Sequence, residues 1–253
     1  MRCPVICAAL ALAPILTARA QSAPPADSTL YSTVLIQAAP GKLTELLALV
    51  HDHLAVHDAA RQARPFIMRH SQGDHWDLML LQPIGRSLTD WYAPARLAAH
   101  AQAADASGLS DAAFEATLKT LAAWREETIV RGPPVGALRD AFTANGYSHI
   151  EMFIALASQH TALRRQREME NRFLAASGLP TNFIFEREAG AAWDLFTIGL
   201  YRDVKHYAEG TRLTPEQEEA AARAAGFASR NDIGPFLRTF ISSHHDTLAG
   251  VVR

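Results

Sequence analysis

The chain has 253 residues, of which 49% are hydrophobic and 20% charged, enough to bury a core and unlike a disordered segment. Lys and Arg number 24 against 26 Asp and Glu, a net charge of −2, so no basic surplus exists to hold nucleic-acid phosphates. Both cysteines, Cys3 and Cys7, sit at the extreme N-terminus, which excludes disulfides, thiolate metal sites and cysteine nucleophiles from the rest.

In chain order, Arg2, the apolar run 5–16 and Ala18-Arg19-Ala20 read as a secretory signal peptide over residues 1–20, cut before Gln21. The run is too short to cross roughly 30 Å of hydrocarbon. The expectation is an exported protein, periplasmic or extracellular, with no membrane span after cleavage. Residues 21–28, with Pro24 and Pro25, read as a flexible leader.

Residues 32–38 then alternate as a strand, and Pro40-Gly41 opens a helix whose Leu43, Leu46, Leu47, Val50 and Leu54 fit a 3.6 period. Strands over 65–70 and 76–81 follow, joined at Gln72-Gly73-Asp74 as a hairpin. Two helices close this half, with Gly108 at a helix C-terminus. The second half has the same grammar: strand 148–156, helix 158–177 ended by Gly178-Leu179-Pro180, and strands 182–187 and 193–200 around Ala189-Gly190. Thr214-Pro215-Glu216-Gln217 is a capping box with proline at the first helical position, and Gly226 suits a helix end. Only 128–130 and 248–252 offer material for a fourth strand, and both also read as helix ends.

The halves align. Tyr31-Ser32 matches Tyr147-Ser148, Trp76-Asp77-Leu78 matches Trp193-Asp194-Leu195, and Tyr92-Ala93 matches Tyr207-Ala208. Gly108-Leu109 matches Gly226-Phe227, and Thr128 falls on Thr247. Two long units are a duplicated domain, over 29–135 and 136–253, and not a solenoid.

A β-α-β-β order followed by helices, given twice, resembles the ferredoxin-like halves of the dimeric α/β-barrel superfamily, including its antibiotic-biosynthesis-monooxygenase-like and NIPSNAP-like branches. The resemblance implies an α+β fold: two tandem ferredoxin-like β-α-β-β-α repeats whose sheets face each other as an intrachain pseudo-dimeric α/β barrel, with extra helices. It also implies a site between the sheets.

In the strand that starts the second half, Ile150, Met152, Ile154 and Leu156 are all apolar and are assigned to the helix side. Tyr147, His149, Glu151 and Phe153 then face inward. His149 and Glu151 are the candidate acid and base, with Tyr147, Phe153, Tyr31 and Arg187 as candidate ligand contacts. The matching first-half set, Tyr31, Thr33, Leu35 and Gln37, lacks an acid or imidazole. Asp77 and Asp194, kept in both halves, read as architectural. His53 and His57, four apart on a helix, read as structural, and no metal site is assigned. His70, His75 and His244-His245-Asp246 select no chemistry. No nucleotide loop or serine-hydrolase elbow is present.

Two functions compete. One is an exported small-molecule-binding protein or cofactor-independent, monooxygenase-like enzyme, needing no cofactor, with its site between the sheets. The other is a non-catalytic exported module binding haem, a metal or a partner surface. No nucleic-acid partner is expected. Because the duplication supplies both halves of the usual dimer, a monomer or homodimer is expected.

Overall fold

The computed structural model describes residues 28–253; the expected signal peptide and the expected leader up to residue 27 lie outside the described residues. The first repeat runs β1 (Thr29–Ala38), α1 (Leu43–Ala59), β2 (Phe66–Gln72), β3 (Leu78–Gly85), α2 (Leu88–Trp91), α3 (Pro94–Ala106), α4 (Asp111–Leu121) and β4 (Ala122–Gly132). A connecting helix, α5 (Val135–Ala144), leads into the second. That repeat has β5 (Tyr147–Ala155), α6 (His160–Ala176), β6 (Phe183–Gly190), β7 (Leu195–Tyr201), α7 (Val204–Ala208), α8 (Pro215–Ala225), α9 (Ile233–Arg238) and β8 (Ile241–Val252). All strands pair antiparallel in one closed barrel, ordered β1-β3-β2-β8-β5-β7-β6-β4. Helices α1 to α4 and α6 to α9 lie outside it, and α5 packs against its interior.

Each half does have a fourth strand, and these two strands close the barrel. β4 pairs with β1 and crosses to β6 of the other repeat; β8 pairs with β5 and crosses to β2. Neither is a helix end. Their period-2 pattern is hidden by charges that find their partners in the folded chain. Glu126 accepts the Trp193 indole Nε1–H (2.7 Å), Glu127 accepts the Ser32 hydroxyl (3.0 Å), and Arg125 pairs with Glu115 at 2.8 Å. Thr128 and Thr247 perform one job twice. The Thr128 hydroxyl accepts from Ala191 N (3.3 Å) and the Thr247 hydroxyl from Asp74 N (3.4 Å), each tying a hairpin to the neighbouring repeat.

Asp77 and Asp194 are architectural, as expected. Asp77 Oδ2 accepts from Ala38 N (2.8 Å) and Asp194 Oδ2 from Ala155 N (2.9 Å), while their own amides donate to Ile36 and Phe153. These paired bonds set the true register of the repeats. Ala38 corresponds to Ala155, so Tyr31 corresponds to Ser148 and not to Tyr147.

In this register Ile150 and Met152 share the face of Tyr31 and Leu35, opposite to the face expected, because side chains alternate along a strand. Ile150 and Met152 point into the barrel with Tyr31, Leu35, Met79 and Leu81, and Tyr147, His149, Glu151 and Phe153 face the helices. A closed barrel has an apolar interior, so the apolar set belongs there as readily as under a helix. The interior is packed with Trp76, Tyr31, Phe185, Phe196, Met68 and Met79, and α5 adds Leu138 and Phe142. The space between the sheets is therefore lined by packed core side chains, and His149 and Glu151 are not among them.

The expected terminators hold. The Thr214 hydroxyl accepts from Gln217 N and the Gln217 side chain accepts from Thr214 N, completing the capping box. Gly108 (φ 76°) and Gly226 (φ 107°) take the left-handed backbone that ends a helix.

Candidate functional site

The outer face of the first sheet carries Ser32, Val34 and Ile36 of β1 with Leu80 and Gln82 of β3. The helix α1 covers it because Leu46, Leu49, Val50 and Leu54 form one apolar stripe. Between that face and helices α1 to α4 lies a cavity of about 280 Å³. This is near the small end of ligand pockets, which run from roughly 300 Å³. Val34, Ile36, Val50, Leu54, Leu80, Leu97, Phe114 and Leu118 make it mainly apolar. Ser32, Gln82, His53, His57, Arg96, His100, Trp91 and Arg125 supply the polar groups.

Three imidazoles meet at one wall. The ring centroids of His53, His57 and His100 lie 5.3–5.6 Å apart, and His53 stacks on Phe114 at 4.1 Å. His57 is only 7% exposed, and both its Nδ1 and the Nδ1 of His53 are buried without a protein hydrogen bond. Burial, reinforced by His53, His100 and Arg96, pushes the His57 imidazole down to about 4; burial also lowers His53. At neutral pH both rings are uncharged. The Arg96 guanidinium lies 3.3 Å over the Trp91 ring and donates to the Trp91 carbonyl, which holds α2 against α3 at the rim.

The second repeat fills the equivalent space. With Ala38 set on Ala155, Val34 corresponds to Glu151. Helices α1 and α6 start in the same register, so Val50 corresponds to Arg167. Glu151 Oε2 accepts from Arg167 Nη1 (3.0 Å) and from the Thr197 hydroxyl (3.2 Å). Arg167 also pairs with Glu170 and lies 4.9 Å over the Phe153 ring. Its side chain is 2% exposed, and burial lowers its pKa against the pull of Glu151. An ion pair stands where the first repeat has two valines and a cavity.

Of the residues singled out from sequence, Tyr147, His149 and Glu151 lie together on the outer face of the second sheet, around Tyr207 and Asp246, while Tyr31 and Arg187 lie elsewhere. Glu151 belongs to the Arg167 pair. Phe153 packs against Leu163, Leu195, Leu237 and Ile241. His149 Nε2 donates to Asp246 Oδ1 (3.1 Å), and His244 Nε2 meets Asp246 Oδ2 at 3.1 Å. Tyr147 Oη lies 3.3 Å from the Ser71 hydroxyl. Tyr31 is fully buried in the barrel, where its hydroxyl donates to Pro133 O (2.6 Å) and burial pushes its pKa upward. Arg187 pairs with Asp194 Oδ1 at 2.5 Å, at a strand end. Burial, then Tyr207 and Glu151, push the nearby Tyr201 phenol up to about 12, so it is protonated at neutral pH.

Asp246 gives a pH signature. The hydrogen bond from His149 holds its carboxyl below the usual range, helped by His244, His149 and Arg238. A carboxyl depressed in the folded state adds stability above its unfolded pKa of about 3.9, and that stability is lost as pH falls through the folded pKa. The side chain is 52% exposed, so after solvent screening the contribution is about 1 kcal/mol or less. Denaturant unfolding at a series of pH values should find Asp246→Asn less stable than wild type above pH about 5, with the gap closing in acid. A gap that stays constant in acid would show that Asp246 is not held this way.

No protein-family model matches the sequence, and no curated protein does. Solved structures do. An anthrone oxidase-like protein shares 11% identity at a TM-score of 0.57, over 90% of this chain and 92% of its own. A provisionally named monooxygenase from Fusobacterium nucleatum shares 10% identity at 0.51, over 90% of this chain and 94% of its own. At such identities the likeness shows the fold. The chain has the dimeric α/β-barrel fold, built from two ferredoxin-like repeats in one polypeptide.

Proposed function

We propose that this is an exported protein that binds a small, mainly apolar organic molecule in the first-repeat cavity, between the outer face of the sheet and helices α1 to α4. One observation carries the reading: Val34 and Val50 leave open a space that Glu151 and Arg167 occupy in the second repeat. Size and lining favour a one- or two-ring ligand held by apolar contact. The free Nδ1 atoms of His53 and His57 offer hydrogen-bond partners to its polar end. The signal sequence over residues 1–20 supports export. The duplicated element order supports a place near the antibiotic-biosynthesis-monooxygenase-like or NIPSNAP-like branches.

Monooxygenase-like turnover of the bound molecule is the second reading, favoured by the buried His57 and half-buried His53 imidazoles at the cavity wall. Binding is tested first. Native mass spectrometry of the purified protein should show a retained organic mass, or one taken up from added 1-naphthol at one per chain. Val34→Phe, which fills the cavity, should weaken naphthol binding by roughly tenfold or more. Equal binding by wild type and Val34→Phe would place the ligand elsewhere.

A further inference from the structure

We propose that His53, His100 and Asp111 form a binding site for a divalent first-row transition-metal ion at the helical wall of the first-repeat cavity. The three residues come from three helices. Each offers one ligand atom, and these atoms lie within 4.8 Å of one another. An ion held at about 2.1 Å by a tetrahedral set needs its ligand atoms about 3.4 Å apart. Asp111 is exposed at the start of α4, so rotation of its side chain can supply the closure.

The hydrogen bonds around His100 fix which nitrogen faces the site. Gln62 Nε2 donates to the Arg96 carbonyl at 3.0 Å, so Gln62 Oε1 is the end that meets His100 Nδ1, also at 3.0 Å. Nδ1 therefore carries the proton, and Nε2 turns its lone pair toward Asp111 Oδ1, 3.3 Å away. A lone pair and a carboxylate oxygen repel at that distance unless a cation lies between them. A proton would satisfy that contact alone, whereas a metal ion would satisfy it and take His53 as a third ligand. The carbonyl-oriented imidazole is the outer-shell arrangement that metal-binding histidines use.

An independent observation points the same way. His57 is buried, its Nδ1 has no partner, and its ring lies 5.3 Å from His100 and 5.5 Å from His53. A buried polar atom without a partner is costly, and a nearby cation or its bound water would satisfy it. Two imidazoles and one carboxylate suit Zn²⁺, Fe²⁺ or Co²⁺ and leave coordination positions free. Because His53 and His100 line the cavity, those positions adjoin the space assigned to the organic molecule. The proposal does not require the organic ligand.

The test is titration of chelator-treated protein with Co²⁺, followed by its visible d–d absorption, with Zn²⁺ as competitor. One ion per chain is expected, and Asp111→Asn and His100→Gln should each weaken it roughly tenfold or more. The far-UV circular dichroism and melting temperature of Asp111→Asn should match wild type, since the residue is exposed. The double variant His75→Gln/His245→Gln, which removes the imidazoles flanking Asp74 at 2.6 and 3.8 Å, should bind as wild type does. Absence of stoichiometric binding, or binding that ignores Asp111 and His100, would overturn the proposal. Naphthol binding, measured separately, reports on the cavity and not on the metal.

Discussion

Glu151→Val should destabilise the protein by about 3 kcal/mol, because it leaves the buried Arg167 guanidinium short of a charge partner. Glu170 still contacts Arg167, which keeps the loss at the lower end of what breaking a buried pair costs. The informative variant is the double one. Glu151→Val with Arg167→Val installs the residues that the first repeat carries at these positions, Val34 and Val50. Removing both charges removes the desolvation penalty as well as the attraction, and such replacements are often neutral or better. The double variant should therefore recover most of the stability lost by the single one, as read by denaturant unfolding. It should also open a second apolar cavity, detected as added binding of 1-naphthol. If the single variant is as stable as wild type but loses function, Glu151 is a working carboxylate after all and the pairing account fails.

Gly73→Ala and Gly190→Ala should each cost at least about 3 kcal/mol, combining backbone strain with a steric clash. Gly73 sits at φ +120°, and a Cβ there would lie 2.1 Å from the Asp246 carbonyl oxygen and 2.8 Å from Thr247 Cα. Gly190, at φ +110°, would meet the Glu127 carbonyl oxygen at 2.6 Å and Thr128 Cα at 2.8 Å. In both cases the obstacle is backbone, which cannot swing aside. These glycines are where the hairpin of one repeat is pressed against the fourth strand of the other, so the loss should appear as cooperative unfolding of the whole barrel. Thermal unfolding that splits into two transitions would mean that the repeats are stable independently of this seam.

The seam also explains which parts of the fold were legible from sequence. Hairpins, the long helices and the capping box announce themselves through local chemistry. Strands β4 and β8 do not, because Arg125-Glu126-Glu127 and His244-His245-Asp246 break the hydrophobic pattern, and several of their partners, Trp193, Ser32 and His149 among them, are distant in sequence. The faces and the register of β5 are the parts that sequence places wrongly. The match of Tyr31-Ser32 to Tyr147-Ser148 is a coincidence one residue out of register, and the paired Asp77 and Asp194 bonds correct it. A one-residue slip turns every side chain to the other face. The faces of β5 are exchanged for a separate reason: the apolar set Ile150, Met152 and Ile154 fits under a helix as well as inside a closed barrel, and it is Ile150 and Met152 that fill the core. The signal that could have located the cavity was present: alignment on the aspartates sets Val34 and Val50 against Glu151 and Arg167. His53 and His57 were recognised as sharing a helix face. Their third imidazole, His100, comes from a helix whose docking no local pattern specifies.

The central claim is that a ligand enters the sheet–helix space of the first repeat and not the barrel interior. Methyl-labelled NMR with added 1-naphthol tests it directly. Shifts should concentrate on the methyls of Val34, Val50, Leu54, Leu80 and Leu97, with Ile150, Met152 and Ile198 unmoved. Shifts centred on Ile150, Met152 and Ile198 would place the ligand between the sheets and contradict the account.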